Sequence, residues 1–445
     1  MARTSLSGFP EWLPEGRIIE MHVLDELRRV FELHGFAGIE TRAVETLEQL
    51  EAKGETSKEI YVLERLQALK AAAAGARAPK DKGMGLHFDL TVPFARYVVE
   101  NANELDFPFK RYQIQKVWRG ERPQDGRFRE FTQADIDVVG NGELPFHFEV
   151  DLPLVMAEAL NNLPIPPVRV LVNNRKVVQG VCESLGVTDV EAALRGLDKI
   201  DKIGPEGVVA ELAQSGIDGD QASVLLQMAQ IRTSESSEVR ARLADLGVGG
   251  ELLDEGLKEL TELLDTANKR MPGAVVADLK IARGLDYYTR TVFEVEALDV
   301  GVGAIGGGGR YDGLMELEGG KPTPGVGFAI GFERIMLALA AQGIETDIAA
   351  PCCVYVATTS AEEAREAFSV VLTLRGAGIR TEADRTGRSL KAQFKQADKL
   401  GAKLCVVLGP DEVAAGVATL RDMTTHEQIQ VPADRLVEEV RQRLS

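Results

Sequence analysis

Hydrophobic and polar positions change their period several times along this chain, and the changes mark its parts. From Glu15 to His34 apolar residues recur at helical spacing, with Leu24, Leu27 and Phe31 on one face and Gly35 placed to stop the helix. Strands and loops alternate after it, interrupted by an Ala-rich segment from about Ala68 to Ala78 that reads as a loop or a short helix. Residues from Lys110 to Gln133 read as strand, basic Pro/Gly loop, strand. In the returning strand Phe131, Gln133, Asp135 and Asp137 fall on one face, and Thr132, Ala134, Ile136 and Val138 on the other. A polar row therefore faces a cavity while an apolar row faces the core. From about Ser184 to Ala267 the pattern is helical and acidic, which predicts an inserted helical domain. After Ala349-Ala350-Pro351 a further unit follows. Val354–Ala357 is strand-like, Ala361–Arg375 helical, Gly378–Glu382 extended, Leu390–Leu400 helical and Leu404–Leu408 a buried strand, predicting an α/β layer with a parallel or mixed sheet.

Length and composition narrow the class. A chain of 445 residues exceeds one hydrophobic core, so two or three domains are expected, and 44% hydrophobic residues suffice to fill them. The N-terminus lacks the charged-then-apolar plan of a signal peptide, and the apolar run near residue 330 is interrupted by Glu333 and Arg334. The expectation is a cytoplasmic protein without a membrane span. Four cysteines, Cys182, Cys352, Cys353 and Cys405, form no Cys-x-x-Cys pair and no Cys/His cluster, which argues against structural zinc or a disulfide framework. A net charge of −18 argues against nonspecific nucleic-acid binding, so any RNA contact needs a local basic patch. One candidate is the basic loop after Lys110. Another is the run Arg380, Arg385, Arg388, Lys391, Lys395, Lys399 and Lys403, opposed only by Glu382, Asp384 and Asp398, which taken alone reads as a solvated helix face.

The candidate chemistry is concentrated in four segments. Arg283-Gly284-Leu285-Asp286-Tyr287-Tyr288 and Gly306-Gly307-Gly308-Gly309-Arg310-Tyr311-Asp312 combine a cation for an anion, tyrosine hydroxyls for substrate nitrogens and glycines for close approach. Together they resemble the two signatures of histidyl-tRNA synthetases. The basic hairpin resembles motif 2 of class II aminoacyl-tRNA synthetases, which implies that Arg119, Glu121 and Arg127 hold ATP and that Phe131 stacks on adenine. Gly325 to Arg334 resembles motif 3, with Arg334 at the γ-phosphate. Leu86 to Arg96 resembles the segment that binds the α-amino group of the substrate; Asp89 and Thr91, on either side of Leu90, are expected to share a strand face. Gly301-Val302-Gly303-Ala304-Ile305-Gly306 fits a dinucleotide fingerprint, but more glycines and Arg310-Tyr311-Asp312 follow where a helix is required.

The resemblance implies an α+β fold, in which an antiparallel class II sheet flanked by helices spans residues 1–183 and 268–345. A helical insertion would occupy 184–267, and an α/β anticodon-binding domain 351–445. It implies ATP-dependent ligation of L-histidine to histidine tRNA through histidyl-adenylate, by a homodimer using Mg²⁺. Arg119 and Arg283 would grip carboxylate and α-phosphate oxygens. Asp137 and Tyr288 would meet the ring nitrogens with Gln133 nearby, and Asp89, Leu90, Thr91 and Tyr287 would complete the amino-acid site. Arg122 and Gln124 would meet the tRNA; no protein side chains are assigned to a metal. Two positions depart from the family pattern: Ala43 stands where a proline usually lies at the dimer interface, and His87 where many relatives have Arg. His87 reads as packing, without a catalytic role. The rival reading is a synthetase-like regulatory subunit of ATP phosphoribosyltransferase; such paralogues generally lack the last domain and have eroded signatures, whereas this chain keeps both.

Overall fold

The apolar stripe of residues 15–34 becomes helix α1 (Pro14–Leu33) in a computed structural model of the chain, with Leu24, Leu27 and Phe31 buried. It stops where expected: Gly35 has a φ of +76°, and the Phe36 N–H donates back to the Phe31 carbonyl at 3.1 Å. The structure describes residues 6–51, 59–73, 83–123, 126–281, 288–301, 303–317, 320–341 and 352–444. By internal contacts the chain divides into two compact units, residues 1–10 with 23–344 and residues 11–22 with 345–445.

In the larger unit the order after α1 is β1 (Ala37–Gly38), β2 (Val44–Thr46), α2 (Leu47–Glu51), β3 (Tyr61–Leu63), α3 (Leu66–Ala73), β4 (Met84–Leu86) and α4 (Thr91–Glu100). The long hairpin strands β5 (Phe109–Trp118) and β6 (Glu130–Val139) follow, then α5 (His147–Asn161) and β7 (Val168–Asn174). Next come α6 (Arg175–Ser184), α7 (Val190–Asp198), α8 (Ile200–Gln214), α9 (Gly219–Ala229), β8 (Arg232–Thr233), α10 (Ser236–Asp245), α11 (Glu251–Arg270) and β9 (Val275–Asp278). The unit closes with β10 (Tyr288–Ala297), β11 (Ala304–Tyr311), α12 (Leu314–Leu317), β12 (Gly325–Gly331) and α13 (Phe332–Ala341). Part of the Ala-rich segment is thus helix α3; residues 74–82 lie outside the described residues.

Nine strands form one sheet in the order β1-β5-β6-β12-β11-β10-β7-β9-β8. Its centre is antiparallel, as expected, but β1 runs parallel to β5 and β7 parallel to β9, so the whole is mixed. Strands β2, β4 and β3 make a small separate sheet. Register decides which side chains meet on the large sheet. Arg111 of β5 lies opposite Asp137 of β6, Asp137 opposite Gly327 of β12, and Gly327 opposite Gly309 of β11. The next row on the same face reads Gln113, Asp135, Ala329 and Gly307. Large polar groups therefore stand on β5 and β6, and a nearly side-chain-free floor lies beside them.

One sequence expectation fails here. Asp89 and Thr91 do not share a strand: β4 ends at Leu86, and Thr91 is the first residue of α4. The Asp89 carboxylate accepts the Val92 N–H at 3.1 Å, an Asp supplying a partner to an otherwise unsatisfied first-turn donor, while Pro93 tolerates the first turn because its missing N–H costs nothing there. This local capping chemistry outweighs the strand propensity of the segment.

The smaller unit contains β13 (Val354–Thr358), α14 (Ala364–Gly376), β14 (Thr381–Ala383), α15 (Leu390–Lys399), β15 (Leu404–Leu408), α16 (Pro410–Ala415), β16 (Val417–Asp422), β17 (Gln428–Pro432) and α17 (Leu436–Leu444). Its sheet order is β14-β13-β15-β16-β17, with β13 parallel to both neighbours and the remaining pairs antiparallel, a mixed sheet. Alternation sorts the strands between two layers. Val354, Val356, Val406 and Leu408 pack with Val371 and Leu374 of α14, and Tyr355, Cys405 and Val407 with Ala397 of α15. Among the described residues no helix is long and apolar enough to cross a membrane.

Candidate active site

A narrow recess opens on the glycine floor, lined by Thr91, Asp135, Asp137, Tyr288, Gly307, Gly308, Tyr311, Gly327, Phe328 and Ala329. Its polar end is built on Asp137, 4% exposed. One carboxylate oxygen, Oδ2, lies 2.6 Å from Nη2 of Arg111, which is fully buried and packs its guanidinium over the Phe94 ring at 4.2 Å. The other, Oδ1, accepts the Tyr311 hydroxyl at 2.6 Å. Tyr311 belongs to β11, and β12 lies between it and β6, so its ring must cross an intervening strand. It can do so because β12 offers glycine: a Cβ on Gly325 would sit 2.2 Å from the Tyr311 ring, and one on Gly327 would sit 1.9 Å from Asp137 Oδ1. The glycines of the motif 3 segment thus admit the two side chains that fix Asp137.

A chain of polar groups leads outward from the recess. Gln133 Nε2 donates to Asp135 Oδ1 at 3.4 Å, and Arg119 Nη2 donates to Gln133 Oε1 at 3.4 Å. Arg119 Nε also donates to the Phe88 carbonyl at 2.9 Å, and its guanidinium lies 5.0 Å over the Phe131 ring. Burial raises the Asp135 carboxyl to about 8; Arg111 counteracts this, while the neighbouring carboxylates of Asp137 and Asp89 add to it. Beyond Phe131, Glu121 and Arg127 lie 3.8 Å apart, both partly open to solvent, and Arg122 is exposed. Arg334, in the first turn of α13, donates to the Ala304 carbonyl, while Glu333 accepts the Thr132 N–H at 2.8 Å and ties the helix to β6.

The structure therefore brings Thr91, Gln133, Asp137 and Tyr288 together, with Arg119 adjoining them; Asp89 is buried at the start of α4 and Leu90 is fully buried. Glu121, Arg127 and Phe131 lie on the outer part of the same hairpin. Arg283, Tyr287 and Gln124 fall outside the described residues. Sequence reasoning misses Arg111 and Tyr311 as site residues and gives Asp135 no role. By sequence Arg111 belongs to a basic patch, yet it is interior; the signal that could have placed it is its cross-strand register with Asp137. Arg310, in the same signature as Tyr311, is structural: it bonds Asp312, the Leu144 carbonyl and buried Glu149 at 2.9 Å each. His87 is buried as well. Its Nε2 lies 2.7 Å from the Lys116 carbonyl, its ring stacks on Trp118, and desolvation lowers its pKa, consistent with packing.

A mixed sheet with a glycine-floored polar recess, a basic hairpin beside it and an arginine opening the helix after a glycine strand define a class II aminoacyl-tRNA synthetase core. Comparison with known proteins makes this specific. The histidyl-tRNA synthetase family model matches residues 8–335, and an anticodon-binding domain model matches 352–443. The chain is 51% identical to a histidine–tRNA ligase of Micrococcus luteus over 433 residues, covering 96% of this chain and 94% of that one. It is 48% identical to the same ligase of Thermobifida fusca, covering 89% and 90%. The crystal structure of a histidyl-tRNA synthetase from Nostoc superposes with a TM-score of 0.88 at 34% identity, over the full length of both chains. The chain belongs to the histidyl-tRNA synthetase family.

Proposed function

We propose that this protein activates L-histidine with ATP and transfers it to the 3′ end of histidine tRNA. The observation that carries the reading is the recess itself: an acceptor (Asp137, held by Arg111 and Tyr311) and a tyrosine (Tyr288) line one space, as two ring nitrogens would require. With both ring nitrogens met at once, a substrate lacking them leaves buried polar groups unpaired, a penalty that can reach about 10⁴ to 10⁵ in discrimination. Thr91 and Asp89 stand at the ammonium end. Arg119, fixed by the Phe88 carbonyl and Gln133, is oriented to take the substrate carboxylate and the α-phosphate oxygens, with Arg283 as its partner. Histidine carboxylate then attacks the α-phosphorus and pyrophosphate leaves; the tRNA hydroxyl attacks the adenylate carbonyl, the mixed-anhydride bond breaks and AMP leaves. Little covalent chemistry falls to the protein; its arginines position the groups and stabilise charge, each contributing roughly 2–4 kcal/mol in the transition state.

The nucleotide enters as its Mg²⁺ complex, with Phe131 beneath the adenine and Arg127 and Arg334 toward the phosphates. Arg119 lies over one face of the Phe131 ring at 5.0 Å. The tRNA acceptor end is assigned to Arg122 and Gln124, in the chain segment between β5 and β6. The anticodon is assigned to the smaller unit, where Arg380, Arg385, Arg388, Lys391, Lys395, Lys399 and Lys403 are all exposed. A homodimer and a cytoplasmic location complete the proposal.

The rival is the regulatory-subunit reading. A structure from Bacillus halodurans described as an ATP phosphoribosyltransferase regulatory subunit/histidyl-tRNA synthetase superposes with a TM-score of 0.71, but at 18% identity this concerns the fold alone. Histidine-dependent exchange of pyrophosphate into ATP separates the two. The synthetase reading expects robust exchange with histidine; no exchange under Mg²⁺ would favour the binding subunit.

A further inference from the structure

Asp135 is an unusual residue to find on the floor of this recess. It is 2% exposed and lines the cavity. Among the described residues its one hydrogen bond comes from Gln133 to Oδ1, at a long 3.4 Å, which leaves Oδ2 without a partner. Arg111, the buried cation on the neighbouring strand, is 2.6 Å from Asp137 and donates to Gln113 at 3.3 Å, so it is already engaged. The groups facing Asp135 are mostly of the same sign or neutral. Asp137 and Gln133 stand on its own strand, Gln113 opposite it on β5, Ala329 opposite it on β12, Asp89 before α4, and Glu294 at the same level of the sheet on β10. Three carboxyl groups, those of Asp89, Asp135 and Asp137, thus converge on a space whose interior cation is Arg111. A buried carboxyl is tolerated in such company when it is neutral, or when positive charge arrives from elsewhere.

We propose that Asp135 is a specificity-determining residue whose free carboxyl oxygen accepts a side-chain N–H of the amino acid entering the recess. This rests on the reading of the recess as the histidine site. In the empty protein the group holds a proton at neutral pH, because burial and its two carboxylate neighbours raise it to about 8. An entering imidazole N–H stabilises the ionised form, so the proton passes to solvent as the ligand binds. The charge-assisted contact thus formed favours amino acids carrying a second nitrogen and disfavours neutral side chains of equal size.

The test is calorimetric titration of the full chain with L-histidine at pH 7 in two buffers of different ionisation enthalpy, together with steady-state exchange kinetics. Wild type should release close to one more proton per histidine bound than Asp135→Asn, a near-isosteric variant that is neutral at every pH. The variant should show a KM for histidine raised about tenfold or more, with kcat within about threefold and KM for ATP unchanged. Wild type that binds histidine with no buffer-dependent heat between pH 6 and 8 would overturn the proposal without reference to any variant. So would an Asp135→Asn enzyme with wild-type KM and proton release. Those results would leave histidine-dependent exchange intact, whereas wild type that shows no such exchange would remove the functional reading and this proposal together.

Discussion

The site turns on a few side chains whose neighbours decide their chemistry. Asp137 is an acceptor because Arg111 and Tyr311 hold both of its oxygens, so the two kinds of loss should differ. Asp137→Ala should depress histidine-dependent exchange by at least about 10²-fold while leaving ATP affinity within a few fold, as read by exchange kinetics and nucleotide titration; equal loss of both would remove the assignment. Arg111→Met should act mainly on stability. Removing one member of a buried ion pair leaves the other charge uncompensated and costs about 3–5 kcal/mol, measurable by urea unfolding. Asp135 carries the opposite stability signature. Its folded pKa of about 8 lies above the ordinary carboxyl value, so the folded state binds the extra proton. Stability associated with it is present at low pH and falls as pH rises from about 4 toward 8. Asp135→Asn, always neutral, should therefore melt above wild type by roughly 2–5 °C at pH 8, with the gap narrowing toward pH 4; a gap that widens as pH falls would contradict the burial argument.

At the scale of elements, sequence carried what is local and periodic. The apolar stripe of α1 with its Gly35 stop and the two faces of β6 could be read from spacing alone, and the glycine strand running into α13 from its resemblance to motif 3. The start of α4 could not, because a single Asp89 side chain bonding the Val92 N–H converts a strand-like segment into a helix N-terminus. Nor could the Arg111–Asp137–Tyr311 arrangement. Its members sit on β5, β6 and β11, and their meeting depends on strand order and register, which no single segment encodes. The glycines of β12 depend on register in the same way. Gly327 is constrained by Asp137 and Tyr311 leaning over it. Gly327→Ala should fold with a modest penalty but push the Asp137 carboxylate aside, lowering kcat/KM for histidine by about 10²-fold and sparing ATP binding; wild-type histidine kinetics would show that the floor has room to spare.

At the scale of the molecule, the two units are assigned separate tasks: adenylate formation to the larger, tRNA reading to the smaller. A chain ending before Pro351 should keep pyrophosphate exchange and lose tRNA charging, and charging at wild-type efficiency would show that residues 352–444 do not read RNA. The net charge of −18 makes salt dependence informative too, because only local patches such as Arg385, Arg388, Lys391 and Lys395 can hold phosphate against the overall field. The central claim is that recess, hairpin and C-terminal unit act together on one amino acid and one tRNA. Its most direct test is aminoacylation of purified histidine tRNA by the full-length chain, with Mg²⁺ and ATP, offering each of the twenty amino acids in turn. The account predicts that histidine is attached to the tRNA and that glutamine, asparagine and phenylalanine are attached at least about 10³-fold more slowly; charging with another amino acid in preference, or none with histidine, would contradict it.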